Sequence, residues 1–175
     1  MRRYPNLSQS TWLYTVQIAP NRRWGDGEPL TVDDALFTFA LIQDETFKSP
    51  LYAAFRNVTV ERVDDEHLRF TLKESLAPFL SSLTVGLLPA HRWSDVQPGT
   101  VRLNKLNLEP VGAGPYRVQT LSYDNAGNVR EYVLEPNPHA TVTPRIERLT
   151  LRFYSDITSA VEALRSKKVE GLGFL

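Results

Sequence analysis

The stretch Arg23-Trp24-Gly25-Asp26-Gly27-Glu28-Pro29-Leu30-Thr31-Val32-Asp33-Asp34-Ala35 decides how this chain folds. Its two glycines and its proline predict a tight turn. Thr31 is a favourable N-cap residue, and Asp34 is placed to complete a capping box. A helix is therefore predicted from about Val32 to Gln43. Asp33 and Asp34 would point about 100° apart on this helix, so we expect them to complement its N-terminus rather than to act as an acid–base pair.

Apolar patterns on either side of the turn predict the remaining elements. Strands are predicted at Trp12–Ile18, Val58–Val63, Leu68–Leu72, Tyr116–Leu121, Val129–Glu135 and Leu149–Phe153, and residues 169–175 resemble the start of a further strand. Besides the helix at Val32, helices are predicted to begin near Pro78 and Asp156. Residues 49–55 are irregular or briefly helical, and residues 94–110 form a loop. This mixture predicts an α+β fold.

Composition excludes several classes of protein. The 175 residues are 42% apolar, which is enough for the core of a globular domain. Lys plus Arg and Asp plus Glu number 20 each, so charge gives no reason to expect nucleic acid as a partner. The lack of cysteine excludes disulfides and thiolate metal sites. No apolar run reaches the roughly 18 residues of a membrane span, and residues 1–6 do not resemble a signal peptide.

The residue pattern offers little catalytic or metal-binding chemistry. His67, His91 and His139 lack the spacing of metal ligands, and we expect surface or turn positions for them. The Gly-Ala-Gly-Pro sequence at 112–115 is not a phosphate loop, because Pro115 lacks an N–H donor and a strand follows. We expect no cofactor, no metal and no catalytic residue. Tyr52 lies on irregular backbone and is a candidate ligand contact, with core packing as the alternative.

Four motifs, in matching order, resemble the family 5 extracellular solute-binding proteins, which are the oligopeptide-, dipeptide- and nickel-binding components of ABC importers. They are Trp24–Ala35, Asn57–Leu80, Leu88–His91 and Pro110–Tyr116, followed by a weaker match through Asn137-Pro138 and Ala163–Glu170. The chain departs from the family pattern at Gly25, where histidine is common, at Ala113, where threonine is usual, and at Lys167, which replaces a glycine.

The resemblance implies a clamshell of two lobes with the solute enclosed between them. This chain would supply the N-terminal strand and turn of the first lobe (residues 1–30), an accessory α+β subdomain (31–109) and a truncated part of the first lobe (110–175). The implied fold is therefore a mixed sheet of the first lobe with a small antiparallel accessory subdomain, and the second lobe is absent. We expect the fragment alone to bind solute weakly or not at all.

The resemblance also implies the function, which is capture of oligopeptides or dipeptides without catalysis. The implied partners are the solute and the ABC permease subunits in the membrane. The implied protein is a monomeric lipoprotein, periplasmic or extracellular and tethered to the membrane. Tyr52 matches a ligand-contacting tyrosine of peptide-binding relatives, displaced by Leu51, and Phe174 is placed near the cleft. The alternatives are a hydrolase that uses scattered acids and His91, or a structural or interaction domain.

Overall fold

The computed structural model describes residues 11–73 and 79–173, which form two antiparallel sheets of three strands each. The first sheet has the order β1-β3-β2, and its strands are β1 (Trp12–Gln17), β2 (Thr59–Arg62) and β3 (His67–Leu72). The second has the order β4-β5-β6, and its strands are β4 (Tyr116–Tyr123), β5 (Val129–Pro136) and β6 (Leu149–Arg152). The six strands predicted between Trp12 and Phe153 therefore exist, and the α+β class is confirmed.

Five α-helices accompany the sheets in the described residues: α1 (Val32–Gln43), α2 (Tyr52–Phe55), α3 (Phe79–Ser82), α4 (Ala90–Trp93) and α5 (Ile157–Arg165). Short 3₁₀ turns lie at Glu45–Phe47, Val101–Leu103 and Lys105–Asn107. Among the described residues, the helices are too short or too polar to cross a bilayer. The predicted helix start at Pro78 lies outside the described residues.

The first sheet buries one face against α1. Side chains alternate along a strand, so Leu68, Phe70 and Leu72 of β3 share this face and are at most 4% exposed. Helical spacing turns one side of α1 toward them, and the ring centroid of Phe39 lies 5.0 Å from that of Phe70 and 5.1 Å from that of Phe55. We call residues 12–21 and 31–93, apart from 74–78, the core region.

The second sheet has one polar and one apolar face. The register pairs Arg117 with Glu135 on the polar face and Leu134 with Leu149 on the apolar face. Helix α5 follows, with Ala160 and Ala163 each only 5% exposed. We call residues 111–173 the sheet region.

Three sequence expectations need comment. Residues 169–173 form no strand, so that prediction is wrong for them, and residues 174–175 lie outside the described part. The chain instead turns back after α5, because Lys168 N–H donates to Ala163 O at 2.8 Å. Helix α4 was not predicted. Every described strand pair is antiparallel. Strand β1, which was expected in the first lobe, pairs with β3, which was expected in the accessory subdomain.

Candidate functional site

The turn between Arg22 and Leu30 is where the two regions meet. Its backbone is closed by hydrogen bonds from Trp24 N–H to Glu28 O and from Gly27 N–H to Trp24 O, at 2.8 and 2.9 Å. Gly27 has a φ of +97°, a left-handed conformation that favours glycine. The sequence prediction of a tight turn here is confirmed.

Asp34 fixes the turn to the core region. Its Oδ2 accepts hydrogen bonds from Thr31 N–H at 2.9 Å and from Trp24 Nε1–H at 3.2 Å. Its Oδ1 accepts from Ala90 N–H at 2.8 Å. The predicted capping box with Thr31 is confirmed. The two further donors could not be predicted, because nothing in the spacing places Ala90 beside α1.

Thr38, one helical turn after Asp34, holds the same neighbouring segment. Its Oγ1–H donates to Asp34 O at 2.7 Å, and its Oγ1 accepts from Leu88 N–H at 2.9 Å. Asp34 and Thr38 are 5% and 2% exposed. Buried polar groups that are satisfied in this way fix a single arrangement of the chain. The Leu88–His91 motif is therefore bound to α1 through its backbone.

The other side of the turn is fixed to the sheet region. Gly25 N–H donates to Gly112 O at 2.8 Å, and Arg117 Nη1 donates to Gly25 O at 3.4 Å. A Cβ on Gly25 would lie only 3.1 Å from Gly112 O. A Cβ on Gly27 would lie 3.2 Å from Nε2 of His139. A side chain at either position would therefore crowd its neighbour, which is a backbone oxygen at Gly25 and an imidazole ring at Gly27.

His91 of α4 contacts the turn through its side chain. The His91 Nε2 lies 2.8 Å from Asp26 Oδ2. Burial raises the pKa of Asp26, but hydrogen bonds from His91 and from Glu28 N–H outweigh this effect and lower it overall. A hydrolase built on His91 would need a hydroxyl or thiol nucleophile beside the imidazole. Among the described residues, the hydrogen-bond partner of His91 is the Asp26 carboxylate.

Three of the four motifs, together with Asn137–His139, converge on one joint around this turn, whereas Asn57–Leu80 contributes β2 and β3 to the first sheet. Trp24–Ala35 forms the turn and the start of α1, and Leu88–His91 reaches it from the core region. Pro110–Tyr116 and Asn137–His139 reach it from the sheet region. The order of these motifs is visible in the sequence, but their contacts are not. We therefore interpret them as the means by which the two regions are held together.

An apolar groove of about 270 Å³ lies between α1 and the segment that follows α3. Its walls include Phe47, Ser49 and Leu51, which lie just before α2. The remaining lining residues are Thr38, Leu41, Ile42, Val85, Gly86, Leu88, Trp93 and Val101. The groove suits an apolar side chain, because the hydroxyl oxygens of its lining residues Thr38 and Ser49 already accept hydrogen bonds, from Leu88 N–H and Leu51 N–H.

Tyr52, one of the two predicted ligand contacts, is not among the residues that line this groove. Tyr52 is the half-buried first residue of α2, and Leu51, not Tyr52, is among the groove's walls. Phe174 lies outside the described residues.

A second, polar cleft of about 500 Å³ lies on the second sheet, where Arg117 Nη2 pairs with Glu135 Oε1 at 2.7 Å. In the described part of the chain, no group of three or more His, Asp or Glu side chains could hold a metal ion.

The sequence profile described as "Bacterial extracellular solute-binding proteins, family 5 Middle" matches residues 4–173. A Brucella ovis protein assigned as an ABC transporter peptide-binding protein is 31% identical over 169 residues. That match covers 94% of this chain and 31% of the relative. The chain therefore spans about a third of the length of the curated relatives it matches.

Two solved structures share the fold. The ABC transporter substrate-binding protein CtaP of Listeria monocytogenes is 30% identical, with a TM-score of 0.77 over 90% of this chain and 32% of that protein. The oligopeptide-binding protein AppA of Bacillus subtilis, solved with a nonapeptide, is 22% identical, with a TM-score of 0.76 over 95% of this chain and 32% of that protein. At that identity, the second match shows similarity of fold alone.

Proposed function

Because the chain belongs to the family 5 bacterial extracellular solute-binding proteins, we propose that it forms part of a receptor that captures a solute for an ABC importer. The observation that carries the proposal is the match to an assigned peptide-binding relative over 94% of the chain. The fold agrees, since CtaP superposes on 90% of the chain. The apolar groove of the described residues is open to solvent, so a second wall would be needed to enclose a solute there.

We propose oligopeptides or dipeptides as the solute. An apolar groove bounded by α1 suits a side chain of a peptide, while specificity would come from a few polar groups around it. Tyr52 and Phe174 are proposed as ligand contacts. The support for Tyr52 is its match to the family's ligand-contacting tyrosine, since the groove is lined by Leu51 and not by Tyr52. The division into residues 1–30, 31–109 and 110–175 is proposed with one adjustment, because the β1–β3 pairing groups residues 12–17 with the accessory subdomain.

The partners and location follow from the same proposal. The receptor would deliver its solute to permease subunits in the membrane, from the periplasm or the cell exterior, as a monomeric lipoprotein. It would hold the solute without transforming it. The His91–Asp26 pair fits this proposal because it joins two segments of the chain, and no nucleophile is bonded to it within the described residues.

Calorimetric titration with a panel of short peptides tests the proposal. The whole receptor should bind at least one of them, and the 175-residue chain should bind the same peptide far more weakly, because it lacks the opposing wall. Equal affinity of the two would contradict the two-walled cleft. Hydrolysis of the peptides during the titration would favour the enzyme alternative.

The role of Tyr52 needs its own variant. Tyr52→Ala in the whole receptor should weaken peptide binding at least several-fold, while Tyr123→Ala, which removes an exposed tyrosine of the sheet region, should leave it unchanged. An unchanged affinity in Tyr52→Ala would remove Tyr52 from the site without affecting the family assignment.

A further inference from the structure

The polar cleft of about 500 Å³ on the second sheet shares no lining residue with the apolar groove. Arg117 of β4 and Glu135 of β5 line it from the sheet, and Glu147 and Arg148 line it from the loop that leads into β6. The remaining lining residues are Gln119, Pro136 and Pro138. The cleft is therefore a surface distinct from the groove to which a peptide side chain is proposed to bind.

Hydrogen bonds hold both sides of this cleft in place. The Tyr116 hydroxyl of β4 donates to Ile146 O at 3.1 Å, which fixes the loop immediately before Glu147. On the other side, Asn137 lies between the two lining prolines and is 3% exposed. Its Nδ2–H donates to Gly114 O at 2.9 Å. A preformed cleft loses less conformational entropy on binding than a flexible loop would.

The charges that line the cleft are balanced, but only half of them are paired. Arg117 Nε and Nη2 both reach Glu135 Oε1, at 2.8 and 2.7 Å. Arg148 Nη2 donates across β5 to the neutral acceptor Gln119 Oε1 at 3.3 Å. Across the residues that the structure describes, Arg148 forms no ion pair and Glu147 forms neither a hydrogen bond nor an ion pair. The cleft thus presents one uncompensated guanidinium and one uncompensated carboxylate.

A ligand that carries both charges complements this arrangement. A guanidinium group binds a carboxylate through two parallel N–H···O hydrogen bonds, and a carboxylate accepts hydrogen bonds from an ammonium group. We propose that the cleft is a second binding site, which takes a small zwitterion of the α-amino acid class. The ligand's carboxylate binds Arg148, and its ammonium group binds Glu147. A ligand with a single charge would leave one of these two side chains uncompensated.

Titration of the isotope-labelled 175-residue chain with L-alanine, followed by amide NMR shifts at constant ionic strength, tests this proposal. The reporters are the backbone amides of Gln119, Glu147 and Arg148. L-alanine should shift them saturably and leave the amides of Leu41 and Leu51 in the groove unshifted. Propionate and ethylammonium each carry only one of the two charges, so each should bind at least about five-fold more weakly.

Variants of the loop separate a specific site from general electrostatic attraction. Arg148→Gln and Glu147→Gln should each weaken L-alanine binding at least about five-fold, because each leaves one charge of the ligand unpaired. Arg148→Lys keeps the charge but loses the paired donors, so its affinity should be intermediate. Arg145→Gln is the matched control, since Arg145 is an exposed arginine of the same loop that does not line the cleft, and it should leave the affinity unchanged.

The proposal is overturned if L-alanine shifts no amide of the cleft, or if propionate or ethylammonium binds as tightly as L-alanine. It is equally overturned if Arg148→Gln or Glu147→Gln leaves the affinity for L-alanine unchanged. These results do not bear on the peptide proposed for the groove, because that proposal is tested with peptides on the whole receptor.

Discussion

The core region and the sheet region bury apolar side chains to very different extents. Every residue of the main apolar cluster lies between Val32 and Phe79. In the described sheet region, the buried apolar residues are two alanines of α5, while Leu151, Phe153 and Ile157 are 43%, 48% and 71% exposed. Apolar burial supplies about 25 cal/mol per Å². The core region thus has its own driving force for folding, whereas the sheet region rests mainly on strand pairing and on the joint.

This difference has a consequence for the proposed receptor. A small sheet without a covered apolar face is marginally stable in water. The apolar face of the second sheet and the exposed side of α5 suit further packing, such as the remainder of a protein three times as long would provide. The core region, by contrast, presents its groove on a self-supporting scaffold. The two regions therefore differ: the core region carries a preformed groove on a buried core, and the sheet region leaves apolar side chains exposed.

The largest expected effect comes from a ring in the core region. Phe70→Ala should destabilise the chain by about 3–5 kcal/mol, because Phe70 is 1% exposed and packs against Phe39 and Phe79. Phe153→Ala, at a 48% exposed position of the sheet region, should cost less than about 1 kcal/mol. Urea denaturation measures both. If Phe70→Ala does not fold, Phe70→Leu should still lower the free energy of unfolding more than Phe153→Ala does. Similar losses in the two regions would contradict the difference in burial between them.

Asp34→Ala should come next, at about 3 kcal/mol, because it leaves buried donors of Trp24, Thr31 and Ala90 without an acceptor. The matched control is the neighbouring Asp33→Ala. The exposed carboxylate of Asp33 pairs with Arg62 at the surface, so its loss should lower stability far less than the loss of Asp34. Urea denaturation compares the stabilities of the two variants through their unfolding midpoints. Equal midpoints would mean that Asp34 acts as a surface cap and does not hold the turn.

Gly27→Ala should cost about 1–3 kcal/mol, since it combines a left-handed φ with close approach to His139. Gly127→Ala provides the control: its φ is +84°, but nothing lies within 4 Å of the added Cβ. Thermal melting should therefore rank Gly27→Ala below Gly127→Ala. The reverse ranking would show that the joint has room for a side chain.

Lys167→Gly should have the smallest effect and the opposite sign. Lys167 follows α5 with a φ of +57°, and its N–H donates to Leu164 O at 3.0 Å. Glycine is the residue usually found at such a helix end. The substitution should stabilise the sheet region by about 0.5–1 kcal/mol, seen as slower amide exchange in α5. Faster exchange there would contradict the role given to this position.

The sequence predicted the elements well and the joint poorly, for physical reasons. Alternation along Leu68–Leu72 and the capping box at Thr31 are local patterns, so they identify β3 and the start of α1. The contacts of His91 with Asp26 and of Gly25 with Gly112 join residues that are far apart in the chain. Local sequence patterns therefore cannot predict them. The strand expected at 169–173 failed because Lys168 bonds back to α5, which local hydropathy does not reveal.

Amide hydrogen exchange on the 175-residue chain and on the whole receptor, under the same conditions, tests the central claim most directly. The account predicts that amides of α1 and β3 are protected alike in both. It also predicts that amides of β5, β6 and α5 exchange much faster in the 175-residue chain than in the whole receptor. Equal protection of the sheet region in both proteins would contradict the account, because that region would then not depend on anything beyond this chain.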